Sequence, residues 1–210
     1  MRRAVMVSAV VLFGLAGCSE TTGGQAVPVA QAGQPASSAP VGSVAGQLPG
    51  PGVPKVQNPI DTTRAAKDPC GVLTADQIKG FIGAPVAPKT RDGAAGPACD
   101  WFGGDEYEHA SIGIIINGVS KRGLTSVYAS KGKRLKFFQP LAPVEGYPLV
   151  SDDFGEKRTF GECSGSLGVR DDQTIEIFVE QPDSRKEKKD PCVSLHDVAV
   201  AIIGNIRGGQ

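Results

Sequence analysis

Gly161-Glu162-Cys163-Ser164-Gly165-Ser166-Leu167-Gly168-Val169-Arg170-Asp171-Asp172-Gln173-Thr174-Ile175-Glu176-Ile177-Phe178-Val179-Glu180-Gln181 is the stretch that decides the fold. Cys163, Gly165, Leu167 and Val169 alternate with their neighbours in its first half, and Ile175, Ile177 and Val179 do so in its second. A period of two places each set on one face of a strand. Asp171-Asp172 between the runs supplies turn residues, so the stretch predicts an antiparallel hairpin from about Gly161 to Gln181.

Further strands flank it. Ile112, Ile114 and Ile116 alternate with Ser111, Gly113 and Ile115, and Ala98 to Phe102 and Gly146 to Ser151 read as strands too. Gly123 to Lys131 suits a short helix, weakened by its glycine and β-branched residues. Two helix starts share one signal: Asp68-Pro69-Cys70 and Asp190-Pro191-Cys192 each set an N-cap aspartate before a proline at the first helical position. After the first, Thr74-Ala75-Asp76-Gln77 reads as a capping box opening a helix to about Ile82, ended by Gly83 and Pro85. After the second, Leu195, Val198, Ala199, Ile202 and Ile206 recur at helical spacing until Gly208-Gly209. These elements predict a single α+β domain, an antiparallel sheet of about five strands covered by helices near both sequence ends.

The N-terminal part has a different character. Arg2 and Arg3 precede a 13-residue apolar segment from Ala4 to Ala16, which reads as a bacterial secretory signal over residues 1–17. It is too short to cross a hydrocarbon core of roughly 30 Å as a helix. Leu15-Ala16-Gly17-Cys18 resembles the bacterial lipobox. That resemblance implies cleavage before Cys18 and thioether attachment of diacylglycerol to its sulfur, with fatty acyl chains such as palmitate as the anchor. Two chains hold a protein on a membrane stably where one does so marginally. Residues 18–66 then read as the lipidated N-terminus and a disordered spacer. The stretch is rich in Gly, Pro, Ala, Gln, Val and Ser, uncharged from Thr21 to Pro54, and has no aromatic residue or period. As a flexible coil it spans roughly 40 Å. The folded domain is expected over 67–210, a length suited to one core.

Charge excludes one class of partner. Removing Arg2 and Arg3 leaves 20 Lys+Arg against 22 Asp+Glu, a formal charge of −2, so nothing points to nucleic acid. Lipidation consumes Cys18 and leaves Cys70, Cys99, Cys163 and Cys192, an even set that two disulfides satisfy outside the cytoplasm. Four cysteines allow three connectivities. Cys70 and Cys99 lie 29 positions apart, as do Cys163 and Cys192, and pairing them so staples each helix start to a strand. We favour Cys70–Cys99 and Cys163–Cys192, with Trp101 on the same strand face as Cys99.

Asp68-Pro69-Cys70 with Leu73-Thr74, Cys99-x-Trp101, Val144-Glu145-Gly146-Tyr147-Pro148, a later Cys163 and a second Asp-Pro-Cys at 190–192 resemble the actinobacterial lipoprotein family catalogued as domain of unknown function 3558. The likeness covers about Asp68 to Arg207. It implies an envelope lipoprotein and brings no catalytic residues with it.

Candidates for chemistry are few. Gly161-Glu162-Cys163-Ser164-Gly165 matches a nucleophile elbow with cysteine for serine, and His196 is the base it would draft. An elbow needs a strand-to-helix turn, whereas these residues lie in a strand, and an oxidised cysteine cannot attack. His196 beside Asp197 reads more simply as a solvated histidine. Asp105, Glu106, Glu108 and His109 are an acidic cluster without the spacing of a calcium loop, so a solvated turn is the simpler reading. Asp152-Asp153 reads as a turn, as Asp171-Asp172 does. Lys131, Lys133, Arg134 and Lys136 precede Phe137-Phe138 and on an anchored protein suit anionic headgroups or wall polymers; a charged loop before two core phenylalanines is the plainer alternative. Ser184 to Lys189 mixes signs and reads as an exposed loop. No zinc spacing, phosphate loop or serine-histidine-acid arrangement is present, and no cofactor or metal is expected. The sequence therefore predicts a membrane-anchored, extracytoplasmic lipoprotein that acts as a non-enzymatic binding or accessory module. Its partner is expected to be an envelope protein, a wall polymer or a lipid. The alternatives are an envelope hydrolase working near Cys163 and His196, or a lipid carrier with an apolar cavity.

Overall fold

A computed structural model describes residues 46–209. The expected signal segment, Cys18 and the first part of the spacer lie outside the described residues. Seven strands form one antiparallel sheet: β1 (Lys89–Gly93), β2 (Gly96–Phe102), β3 (Ser111–Asn117), β4 (Phe137–Pro140), β5 (Leu149–Asp153), β6 (Glu162–Arg170) and β7 (Gln173–Glu180). Their spatial order is β1-β2-β3-β7-β6-β5-β4. The predicted hairpin is β6–β7, turning at Asp171-Asp172, and it occupies the middle of the sheet beside β3.

The count of about five strands is corrected to seven by the two sheet edges. β1, Lys-Thr-Arg-Asp-Gly, has no apolar alternation to find, because an edge strand exposed on both faces buries nothing. β4 ends in Pro140, which lacks an N–H and is tolerated at an edge. Phe137 and Phe138, read above as core residues, are half-buried there and stand outside the core cluster.

Among the described residues four α-helices accompany the sheet: α1 (Thr63–Lys67), α2 (Ala75–Ile82), α3 (Leu124–Ser130) and α4 (Pro191–Gly208). Ile114, Leu167, Ile175 and Ile177 of one sheet face join Ile78 and Ile82 of α2 and Leu195, Val198 and Ile202 of α4 in a single core, with Trp101 buried among them. Burying each such side chain favours folding by about 1.5–3 kcal/mol. The opposite face carries a smaller apolar layer of Ala98, Ile115 and Val150. There α3 sits so close to β6 that a Cβ on Gly168 would lie 2.7 Å from Leu124 Cδ1.

Both helix-start signals act as caps, with different outcomes. Asp190 Oδ1 accepts from Cys192 N at 2.9 Å and opens the 18-residue α4. Asp68 Oδ1 accepts from Gly71 N at 3.0 Å, yet Pro69–Val72 is only a short 3-10 turn, because Leu73 turns extended to reach the second cap at Thr74. At Thr74 the capping box is complete: its Oγ1 accepts from Gln77 N and Gln77 Oε1 accepts from Thr74 N.

Cys70 bonds Cys99 and Cys163 bonds Cys192, the favoured connectivity. Each closes a loop of 29 residues, which in the chain-entropy account is worth about 3.6 kcal/mol.

The domain boundary at residue 67 is corrected. Residues 50–62 form a strap that belongs to the fold. Val56, Ile60 and Thr62 are buried, and α1 adds Ala65. Gly50 N donates to Thr125 Oγ1 at 3.0 Å, Val56 N to Asp171 Oδ1 at 2.9 Å, and Ile60 N to the Val169 carbonyl at 3.1 Å. The Tyr147 hydroxyl donates to the Asn58 carbonyl at 2.8 Å. That tyrosine is aimed by a two-residue turn in which Glu145 and Gly146 both have positive φ, 49° and 90°, closed by paired Val144–Tyr147 backbone hydrogen bonds. The Val-Glu-Gly-Tyr motif is thus a clamp on the strap. Composition hid the strap because isolated Val56 and Ile60 sit among prolines and polar residues, without a period.

Candidate functional site

The basic run is a closed hook. From the end of α3 the chain doubles back: Leu135 N and Lys133 N both donate to the Ser130 carbonyl, Gly132 N donates to the Leu135 carbonyl, and Lys136 N donates to the Asp153 carbonyl. Gly132, at φ 71°, makes the tight return possible. Lys131, Lys133, Arg134 and Lys136 are all exposed, and none forms an ion pair among the described residues.

Aromatic rings underlie the cations. Lys131 Nζ stands 4.7 Å from the centre of the Phe138 ring, and Tyr128 meets the same ring edge-on at 4.9 Å. The Arg134 guanidinium lies 5.8 Å from Phe154, and that of Arg158 lies 4.6 Å from Phe137. Phe154 is 65 % exposed, so its ring faces water beside a cation. Two neighbouring cations are compensated. Lys157 approaches Glu162 at 3.3 Å and Asp153 at 3.6 Å, and these partners raise its pKa. Arg158 is held by Glu156 at 2.7 Å, with Asp190 at 3.9 Å. Burial raises the pKa of the Tyr128 phenol. The hook stands in the sequence as a run of cations, whereas Phe154 and Arg158 are brought to it only by the folding of β5 and the following turn.

Asp152-Asp153 is not a turn. The pair ends β5, opposite Phe138 and Phe137 of β4. Asp152 Oδ2 is enclosed without a hydrogen bond among the described residues. Burial pushes its pKa up to about 6; like charges at Glu176 and Asp153 add to this, and Ser166 opposes it. A carboxyl raised in the folded state from its ordinary 3.8 favours folding below that value, and the benefit is lost as pH rises through about 6. Asp152→Asn is therefore expected to stabilise the protein at pH 7 by about 3 kcal/mol, the advantage narrowing toward pH 4. Urea midpoints across that range check this, and a constant difference would contradict it.

The remaining candidates take structural places. Cys163 lies within β6, 3 % exposed, with its sulfur bonded to Cys192, so the elbow-like motif holds no thiol. His196, read as solvated, is half-buried, with Nε2 enclosed and without a hydrogen-bond partner among the described residues. Asp105 Oδ1 accepts from Tyr107 N and Glu108 N, which makes the acidic cluster a self-capped turn. No group of three His, Cys, Asp or Glu among the described residues could hold a metal. Ser184 to Lys189 forms a largely exposed loop.

A cavity of about 840 Å³ opens beside α1 and the end of α4, lined by Asp61, Arg64, Asp68, Thr74, Asn205 and Gly209 among others. Several of its polar groups already serve the fold: Arg64 donates to the Gly209 carbonyl, Asp68 caps Gly71, and Asn205 donates to the Val72 carbonyl and Gln77 Oε1. Such charged and amide walls do not suit an acyl chain. Among the described residues no helix is long and apolar enough to cross a membrane.

A family model described as "Protein of unknown function (DUF3558)" matches residues 13–205. No curated protein and no solved structure matches the chain. The family match covers most of the sequence, and the chain belongs to that family.

Proposed function

We propose that this DUF3558 protein is an extracytoplasmic lipoprotein, anchored through Cys18, whose domain is a non-enzymatic binding or accessory module of the cell envelope. One observation carries the reading. The two disulfides pair all four cysteines of the described domain, so that Cys18, directly behind Leu15-Ala16-Gly17, is the one cysteine of the sequence they do not require. Paired disulfides suit an oxidising compartment, and a lone cysteine at a lipobox suits acylation. The binding role is supported by an exposed surface of aromatic rings and of cations without ion pairs among the described residues, and by the oxidised state of Cys163 at the elbow-like motif. Its ligand class is envelope protein, wall polymer or lipid.

The test is intact mass and acyl labelling in an actinobacterial host. The mature protein is expected to begin at Cys18, carry diacylglycerol and incorporate a palmitate analogue. Cys18→Ser is expected to remove the label completely. A mature protein that starts elsewhere, or a label that survives Cys18→Ser, refutes the anchor.

A further inference from the structure

We propose that the corner formed by the hook and Phe154 rests on the anionic surface of the lipid bilayer. The proposal rests on the lipid-anchored reading above and specifies which surface of the domain meets the membrane. Four exposed cations within six residues lack ion pairs among the described residues, while neighbouring Lys157 and Arg158 have theirs. The excess positive charge is therefore concentrated on the hook, whose backbone hydrogen bonds fix its shape before any ligand arrives.

The rings distinguish a bilayer from a wall polymer. Lys131 over Phe138 and Arg134 beside the exposed Phe154 pair each cation with an apolar neighbour. Headgroup phosphates attract Lys and Arg electrostatically, and the boundary with the acyl chains accepts a phenyl ring. A hydrated polyanionic polymer satisfies the cations and offers nothing to the ring. Reach is adequate as well. Cys18 and Gly46 are separated by at most ~100 Å of fully extended chain, so an anchored domain stays close enough for a weak surface contact to be populated.

The experiment uses the acylated full-length protein carrying Phe154→Trp, reconstituted in vesicles. One set contains about 30 % phosphatidylglycerol in brominated phosphatidylcholine, and the other brominated phosphatidylcholine alone. Trp101 is buried at 2 % exposure and provides the unquenched reference. The introduced tryptophan is expected to be quenched in anionic vesicles only. Quenching is expected to be lost in about 1 M NaCl, where the screening length is about 3 Å. It is also expected to be lost in the Lys133→Gln/Lys136→Gln background, with the thermal midpoint unchanged. Equal quenching on zwitterionic vesicles, or none on either, overturns the proposal. So does protection that appears only when purified wall polymer is added. Intact mass of the same preparation separates the two failures: protein without acyl chains refutes the anchor, and acylated protein without quenching refutes the docking alone.

Discussion

Replacing Cys163 and Cys192 together by alanine lowers the free energy of unfolding by about 3–4 kcal/mol. The greater part is entropic: the unfolded chain regains the freedom of a loop closed over a separation of 29 residues. Packing adds to it. Cys163 is 3 % and Cys192 5 % exposed, and Ser151 Oγ lies 3.3 Å and 3.5 Å from their sulfurs, so the alanines leave a small void beside a hydroxyl. Against the 5–15 kcal/mol typical of a domain, such a loss is large. Cys70→Ala/Cys99→Ala provides an internal comparison. The loop length is equal but Cys70 is partly exposed, so the same entropic loss comes with less lost packing. Urea unfolding of both double variants is expected to rank them in that order. A Cys163/Cys192 variant within about 1 kcal/mol of wild type would contradict the entropic account.

Ile60→Ala costs about 2–5 kcal/mol although it lies in a stretch that reads as spacer. Ile60 is 3 % exposed, belongs to the core cluster and donates its N–H to the Val169 carbonyl of β6. Truncating it leaves a cavity that the strap cannot easily close, since Tyr147 and Asp171 hold the chain at Asn58 and Val56. Lys55→Ala, an exposed change on the same strap, is the control and is expected to shift stability by less than about 0.5 kcal/mol. Equal midpoints for the two variants would show that the strap is peripheral after all.

The central hairpin, β3 and α4 were legible because burial on one face imposes a period that the sequence carries openly. The disulfide pairing was legible for a related reason: each cysteine sits at a helix cap or on an alternating strand. What escaped reading is held by means that leave no period. β1 and β4 are edges, one solvated on both faces and the other ending in Pro140. The strap is fixed through backbone groups and two buried aliphatic side chains. Asp152-Asp153 resembled a turn because two adjacent aspartates usually make one, while here Asp153 is enclosed by Ser164 and Lys157. At the candidate site the cations were visible as a run. Their ring partner Phe154 was not, since only tertiary packing sets it beside Arg134.

The strap and the bridges together define how the domain bears mechanical load. A pull entering from the N-terminal side meets the contacts at Gly50, Val56, Asn58 and Ile60 in turn, each a separate hydrogen bond. At Cys70 the tension passes through sulfur to Cys99, which takes residues 71–98 out of the stressed path; the second bridge does the same for residues 164–191. The covalent bypasses thus take β1, α2 and most of the β6–β7 hairpin out of the extended path.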